Sequence, residues 1–324
     1  MKTTEILQAW KTILAGRAPS LSIEITKECP LSCPGCYAYG SEHLGGGTIL
    51  RQVSDYKGTE LVGRFMRLVD EHRPLHVSIV GGEPLVRFRE LNEILPQLDK
   101  RRIRTHVVTS AVREIPREWQ QFRQVKVIVS VDGLAPEHDE RRKPATYIRI
   151  LKGIEGRKIT IHCTVTRQMT ERAGYLAEFV TFWSQREEVE KIWISLFTPQ
   201  IGETSYEILP APARRQVVQD LLDLRKTHPK LDMPTVVIEG FLSPPPNPDK
   251  CIFAKTTYSV TADLKTRLGP CQFGGNPDCS QCGCIASVGL HQIGQHKLGG
   301  VIPVAWLYNA SYRIGRTVAS IRAS

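Results

Sequence analysis

Between residues 21 and 226 the chain repeats one pattern six times: a strand-like run, then a segment with apolar residues at helical spacing. That alternation limits the fold more than any other feature. The strand patterns fall at Leu21 to Lys27, His76 to Val80, Thr105 to Ser110, Val125 to Val131, Ile159 to Thr166 and Ile192 to Phe197. Helical spacing is read at 59–71, 88–100, near 116–123, at 145–155, 172–187 and 211–226. Alternating units of this kind predict an α/β fold with a parallel sheet and right-handed crossovers. Reactive residues in such a sheet belong at the C-terminal ends of the strands. A chain of 324 residues holds one domain of this size plus a small appendage.

The nine cysteines are unevenly spread: Cys29, Cys33 and Cys36, then Cys163, then Cys251, Cys271, Cys279, Cys282 and Cys284. Two tight groups in a protein of this size suggest metal sites rather than a disulfide framework. Cys163 alternates with Ile161 and Val165 and reads as a core thiol, with an active-site thiol as the alternative. The first group lies directly after the first strand pattern. Three thiols alone leave a tetrahedral zinc short of a ligand, whereas an iron–sulfur cubane can keep one iron open for an exogenous ligand. A zinc knuckle or three unrelated buried thiols are the alternatives.

The spacing C-x3-C-x2-C resembles that of the radical SAM superfamily. The resemblance implies an open partial (β/α)6 TIM-like barrel over 21–228. It also implies a 4Fe–4S cluster on Cys29, Cys33 and Cys36 whose open iron binds S-adenosylmethionine (SAM), with an electron donor such as flavodoxin or ferredoxin. Reductive cleavage of SAM would then give a 5′-deoxyadenosyl radical.

Two further motifs resemble that superfamily. Gly81-Gly82-Glu83 follows the second strand pattern, where glycines permit close backbone approach and a carboxylate can meet an ammonium group. The resemblance gives these residues the amino group of SAM. Ser110 ends the third strand pattern, and Ser130, Asp132, Gly133, His138, Asp139 and Arg142 reproduce S-x-D-G…H-D-x-x-R. Ser130 and Arg142 are expected on the SAM carboxylate, with Arg141 as the rival arginine. Where the family has a bulky residue before the third cysteine, this chain has Gly35. Adenine contacts are therefore assigned to Tyr37, Val165 or Leu196. A glycine there also occurs in hopanoid-type radical SAM enzymes.

Flanking these units, 1–20 reads as an N-terminal helix and 229–250 as a Pro-rich linker. Residues 251–286 form a cysteine-rich module that resembles SPASM and twitch domains, which implies one auxiliary 4Fe–4S cluster on four or five of its cysteines. A structural zinc site is the alternative. The tail 287–324 carries Trp306 and Tyr308, then Arg313, Arg316 and Arg322, with no acidic residue after 286. Such a segment suits a membrane surface, or else packs on the barrel as a helix. No signal peptide or membrane span is read, so a cytoplasmic, membrane-associated protein is expected.

Forty-three Lys and Arg against thirty-three Asp and Glu leave a net charge of +10, but the basic residues are dispersed. Nucleic acid is not an expected partner. The reading is a radical SAM enzyme acting on an unactivated carbon of a lipid, isoprenoid or other small molecule. A SPASM-type peptide maturase is the rival. A non-catalytic iron–sulfur or zinc scaffold is the alternative from another class.

Overall fold

The strands alternate apolar and polar residues, and the fold turns the two sets to opposite faces of one sheet. Leu21, Ile23, Ile25, Val77, Ile79, Val107, Val127, Val129, Ile161, Cys163 and Val165 belong to the main apolar core with the surrounding helices. Ser22, Glu24, His106, Ser130, His162 and Ser195 occupy the alternate positions. In a closed eight-stranded barrel bulky aliphatics fill that inner face. Here it is largely polar, which marks it as a site rather than packing.

The structure, a computed structural model, describes residues 3–144 and 147–323. The chain runs α1 (Thr3–Leu14), β1 (Ser20–Glu24), α2 (Gly58–His72), β2 (His76–Val80), α3 (Phe88–Lys100), β3 (Arg104–Thr109) and β4 (Val125–Ser130). It continues with α4 (Ala135–Arg141), α5 (Tyr147–Ile154), β5 (Ile159–Val165), α6 (Tyr175–Ser184), β6 (Val189–Leu196), α7 (Ala211–Thr227) and α8 (Thr235–Gly240). The last third holds α9 (Ile252–Thr256), β7 (Thr257–Val260), α10 (Ile285–Gln295), the short hairpin β8 (Lys297–Leu298) and β9 (Ile302–Pro303), and α11 (Val304–Ala323).

The main sheet has seven strands in the order β6-β5-β4-β3-β2-β1-β7, and every pairing in it is parallel. The six expected strands are all present, in sequential order, as the partial barrel requires. Near 116–123 the chain forms a 3-10 turn, Arg117–Gln121, rather than an α-helix. The expected helix 145–155 is α5, and its residues 145 and 146 lie outside those described. Helix α4 carries no apolar stripe, so periodicity could not find it.

Sequence reasoning placed 257–260 in a separate module beyond a linker. Strand β7 instead joins the barrel, pairing in register with β1, Ser22 opposite Ser259 and Ile23 opposite Val260. The Pro-rich segment also folds in part, as α8. After β7 the cysteine-rich chain crosses to the opposite sheet edge. There the Leu196 N–H donates to the Gly283 carbonyl at 2.9 Å and the Ile201 N–H to the Asn276 carbonyl at 2.9 Å. The module therefore spans the gap that an open barrel leaves, and it covers an exposed strand edge.

The terminal helices pack on each other. Trp10 and Tyr308 meet edge to face at 6.3 Å, and a Cβ on Gly315 would lie 2.0 Å from the Ile13 carbonyl oxygen. No described helix is long and apolar enough to cross a membrane.

Candidate active site

The loop that follows β1 carries the first cysteine group over the C-terminal end of the sheet. Its backbone is gripped by the turn after β2. A Cβ on Gly82 would fall 2.4 Å from the Glu28 carbonyl oxygen and 2.6 Å from that of Thr26. Only glycine tolerates that approach, and Gly82 also has φ of +53°. The Glu83 N–H then donates to the Glu28 carbonyl at 2.8 Å. The glycines thus serve the cysteine loop directly.

Glu83 is buried and fully engaged. One carboxylate oxygen accepts from the Leu85 N–H at 2.9 Å and from the Thr109 hydroxyl. The other accepts from the Ser110 N–H at 2.8 Å and from its hydroxyl. Four donors use the acceptor capacity of a carboxylate. Glu83, expected at the SAM amino group, thus ties the end of β2 to the end of β3, with Ser110 among its partners.

Across the sheet mouth, Asp132 after β4 gathers both arginines. Its Oδ2 accepts from Arg142 Nε at 2.8 Å and Nη2 at 2.7 Å, and from Arg141 Nη1. Its Oδ1 accepts from the Thr164 N–H at 3.0 Å. Burial alone would raise the Asp132 carboxyl, but the Arg142 and Arg141 guanidiniums hold it well below the usual carboxylate range. Arg141 is claimed a second time by Glu207, through Nε at 2.6 Å and Nη2 at 3.2 Å. Arg142 is paired only with Asp132 among the described contacts, and the charges of both arginines act on Cys33 and Cys36. Ser130, at the end of β4, is buried on the inner face.

The rest of the motif is structural. His138 Nδ1 accepts from the Asp132 N–H at 3.1 Å, and burial pushes its imidazole down to about 4, so it stays neutral. Asp139 caps α5 by accepting from the Tyr147 N–H at 2.8 Å.

Gly35 has a physical cause that the sequence did not reveal. A Cβ there would lie 2.1 Å from Glu207 Oε2 and 3.4 Å from the Phe197 ring. Glu207 fills the space a bulky residue would take. No pattern pointed to Glu207, which lies in a loop about 170 residues away in sequence.

The adenine assignments fare differently. Val165 and Leu196 lie in the main apolar core with Cys163, not with the polar inner face. Tyr37 packs against His43 at 5.6 Å and Phe273 at 5.4 Å. Tyr37 follows Cys36 directly and Phe273 lies two residues from Cys271, so this ring contact links the two cysteine-bearing loops.

Cys29, Cys33 and Cys36 are free, partly exposed thiols. Burial pushes the Cys29 thiol up to about 11. Among the described residues no three His, Cys, Asp or Glu side chains already stand in metal-ligating geometry. The donor set itself fits an iron–sulfur cluster: three thiols on one short loop, with a cationic guanidinium acting on two of them. An open cavity of about 410 Å³ adjoins Cys29 and is bordered by Lys27, Glu28 and Arg51.

Residues 23–169 match the sequence profile of the radical SAM superfamily. That match covers 147 of the 324 residues, a little under half of the chain. Among solved structures, native anSMEcpe with bound AdoMet is similar over 94% of this chain and 97% of that one, with 16% identity and a TM-score of 0.56. The same protein with bound AdoMet and Cp18Cys peptide gives 94%, 97%, 14% and 0.56. SuiB of Streptococcus suis is similar over 95% of this chain and 69% of that one, at 17% identity and a TM-score of 0.53. In the S-adenosylmethionine-bound SuiB structure the chain spans about half of that protein's length, 47%. These likenesses bear on fold. No curated protein matches the chain in sequence.

The second cysteine group is arranged unequally. Cys251, Cys271, Cys279 and Cys282 line one small cavity with an apolar wall, while Cys284 is not part of its lining. Cys284 Sγ instead accepts from Gln272 Nε2 at 3.5 Å. Buried Arg214 of α7 holds the loop by donating to the carbonyls of Phe241 at 3.1 Å, Cys282 at 3.3 Å and Gln281 at 2.5 Å. An arginine in the first turn of a helix gives no sequence signal for this task.

Proposed function

We propose that this radical SAM enzyme holds a 4Fe–4S cluster on Cys29, Cys33 and Cys36 and acts on an unactivated carbon of a substrate seated in the barrel mouth. When bound and reduced, the cluster supplies the electron that splits SAM to a 5′-deoxyadenosyl radical, which abstracts hydrogen or adds to the substrate. The single observation that carries the reading is the set of three free thiols, Cys29, Cys33 and Cys36, on one short loop that the turn after β2 holds over the C-terminal end of the sheet.

In this reading Arg142 and Ser130 bind the SAM carboxylate. The main chain of Gly81 and Gly82 takes the amino group, because Glu83 has already spent its acceptors within the protein. Arg141 and Glu207 form the wall beside Gly35. The polar inner face of the sheet orients the substrate, and the cysteine-rich crossing closes the barrel against water. Cys251, Cys271, Cys279 and Cys282 hold an auxiliary cluster. An external donor such as flavodoxin or ferredoxin supplies electrons.

The substrate class favoured is a lipid, isoprenoid or other small molecule. Trp306 is 62% exposed and Ile314 54% exposed on α11, beside exposed Arg313 and Arg316, which suits an anionic membrane surface in the cytoplasm. A second reading, peptide modification, is supported by the fold likeness to anSMEcpe, which has been solved with a peptide bound. Anaerobic reconstitution with dithionite and SAM tests the function. Formation of 5′-deoxyadenosine is expected, and its absence from a protein loaded with iron and sulfide would favour a binding scaffold. Flotation with anionic and neutral vesicles tests the lipid reading, with retention by anionic vesicles expected and unchanged partitioning against it.

A further inference from the structure

Glu24 is an ionisable group almost wholly enclosed on the inner face of the barrel. It ends β1, 1% exposed, and its Oε1 pairs with His43 Nε2 at 2.8 Å. The opposite ring nitrogen, His43 Nδ1, lies 3.0 Å from the Phe273 carbonyl oxygen. A carbonyl only accepts, so Nδ1 must carry a proton. The Glu24–His43 pair then shares one further proton between carboxylate and Nε2, and it is neutral as a unit.

That pairing leaves Glu24 Oε2 buried with no hydrogen-bond partner. Two more buried oxygens without partners, Ser259 Oγ and Thr261 Oγ1, belong to the neighbouring chain of β7. Because Ile23 lies opposite Val260 in the parallel register, Glu24 and Thr261 follow on the same face as Ser22 and Ser259. Three unpaired oxygens thus share one patch of the barrel interior. Natural proteins rarely leave buried polar atoms unpaired, and each costs about 1–3 kcal/mol. Tyr37, next to Cys36 in the chain, packs on His43 and on Phe273, two residues from Cys271, so the patch adjoins both cysteine groups.

We propose that Glu24, Ser259 and Thr261 form the polar end of a substrate site inside the barrel, and that it takes a neutral hydrogen-bond donor, a hydroxyl or an amide N–H. A carboxylate guest could accept from the two hydroxyls, but it would set its charge against the unpaired oxygen of Glu24 in a dry interior. An ammonium guest would place a net charge beside a neutral pair in a dry interior, at a large desolvation cost. A neutral donor satisfies Glu24 Oε2 and the two hydroxyls without either cost. The site rests on the radical SAM reading for its position next to the reacting group, and it narrows the substrate to one carrying a hydroxyl or amide near the carbon attacked.

The test uses four probes of equal length, 1-hexanol, hexanamide, hexylammonium and hexanoate, with the reconstituted, SAM-bound enzyme and saturation-transfer NMR. Hexanol and hexanamide should give saturable contacts, whereas hexylammonium and hexanoate should not; the stronger of the two neutral probes separates an alcohol-bearing from an amide-bearing substrate. Glu24→Leu should weaken the neutral probes about tenfold, the effect of one lost hydrogen bond to a buried group. Because that change also removes the partner of His43, the double variant Ser259→Ala, Thr261→Val is the decisive one. Those hydroxyls have no partner in the fold, so its melting temperature should hold while neutral-probe binding falls about threefold to tenfold. Equal binding of hexanoate and hexanamide, no binding of either neutral probe, or full neutral-probe binding by the double variant would overturn the site. Cleavage of SAM by the wild type is scored separately; its absence would overturn the radical SAM reading while leaving probe binding to judge the site.

Discussion

Glu83 and Ser110 join the ends of adjacent strands through one carboxylate oxygen, which accepts the Ser110 N–H at 2.8 Å as well as its hydroxyl. The glutamate of the turn is therefore a brace for the mouth of the barrel. Glu83→Gln would put an amide nitrogen against one of these donors. The expected loss is about 1–3 kcal/mol of stability, read by urea denaturation of the apoprotein. A variant as stable as wild type would return Glu83 to the role of a free ligand.

The two arginines at the end of α4 should separate in their effects. Arg142→Lys loses the forked contact with Asp132 and should weaken SAM binding about tenfold or more in equilibrium dialysis. Arg141→Lys breaks the contact with Glu207 and should act mainly on stability, with SAM affinity altered less. The reverse order would make Arg141 the ligand.

Gly35→Ala places a Cβ 2.1 Å from Glu207 Oε2 at a φ of +63°. A loss of at least about 1 kcal/mol is expected from the conformation alone. Adding Glu207→Ala should restore part of it, because the collision is then gone while the strain stays. No rescue would mean that Glu207 does not fill this space.

Iron content should sort the second cysteine group. Reconstituted wild type is expected to hold about eight irons in two cubanes. Cys282→Ser should fall to about half that, while Cys284→Ser, outside the cavity lining, should keep the wild-type content. Zinc in place of iron, with no loss in Cys282→Ser, would contradict the auxiliary cluster.

A pH dependence follows from two histidines on the inner face. His76 Nε2 and His106 Nδ1 lie 3.1 Å apart. Burial, with Arg104 nearby, pushes His76 down to about 3 and His106 down to about 4 from an ordinary value of 6.5. Both are neutral in the folded state, so as pH falls below about 6.5 the unfolded chain takes up protons first. Stability should be full above that pH and fall between about pH 6.5 and 4, by up to about 7 kcal/mol for the two imidazoles together. The double variant His76→Gln, His106→Gln should flatten that slope in denaturation curves. An unchanged slope would place the titration elsewhere.

The strands and most helices were legible because each carries a single period: Val77 and Ile79 alternate with His76 and Ser78, and Leu61, Phe65 and Val69 recur on one helix face. The cysteine spacing and the glycines after β2 were legible because chemistry and steric need restrict those positions to one residue type. What stayed hidden depends on chain segments far apart. The β7 run looked like part of an outlying module because nothing local says which strand it pairs with. Glu207, His43 and Arg214 act only through partners brought close by folding. Glu24 stood in plain alternation with Ile23 and Ile25, but its lone unpaired oxygen exists only once His43 has taken the other.

The most direct measurement is 5′-deoxyadenosine released from SAM by the anaerobically reconstituted protein under dithionite, alongside the same assay on the Cys29→Ala, Cys33→Ala, Cys36→Ala variant. The account predicts release by the wild type and none by the variant. Equal release from both, or none from a wild-type protein carrying its full complement of iron and sulfide, would contradict it.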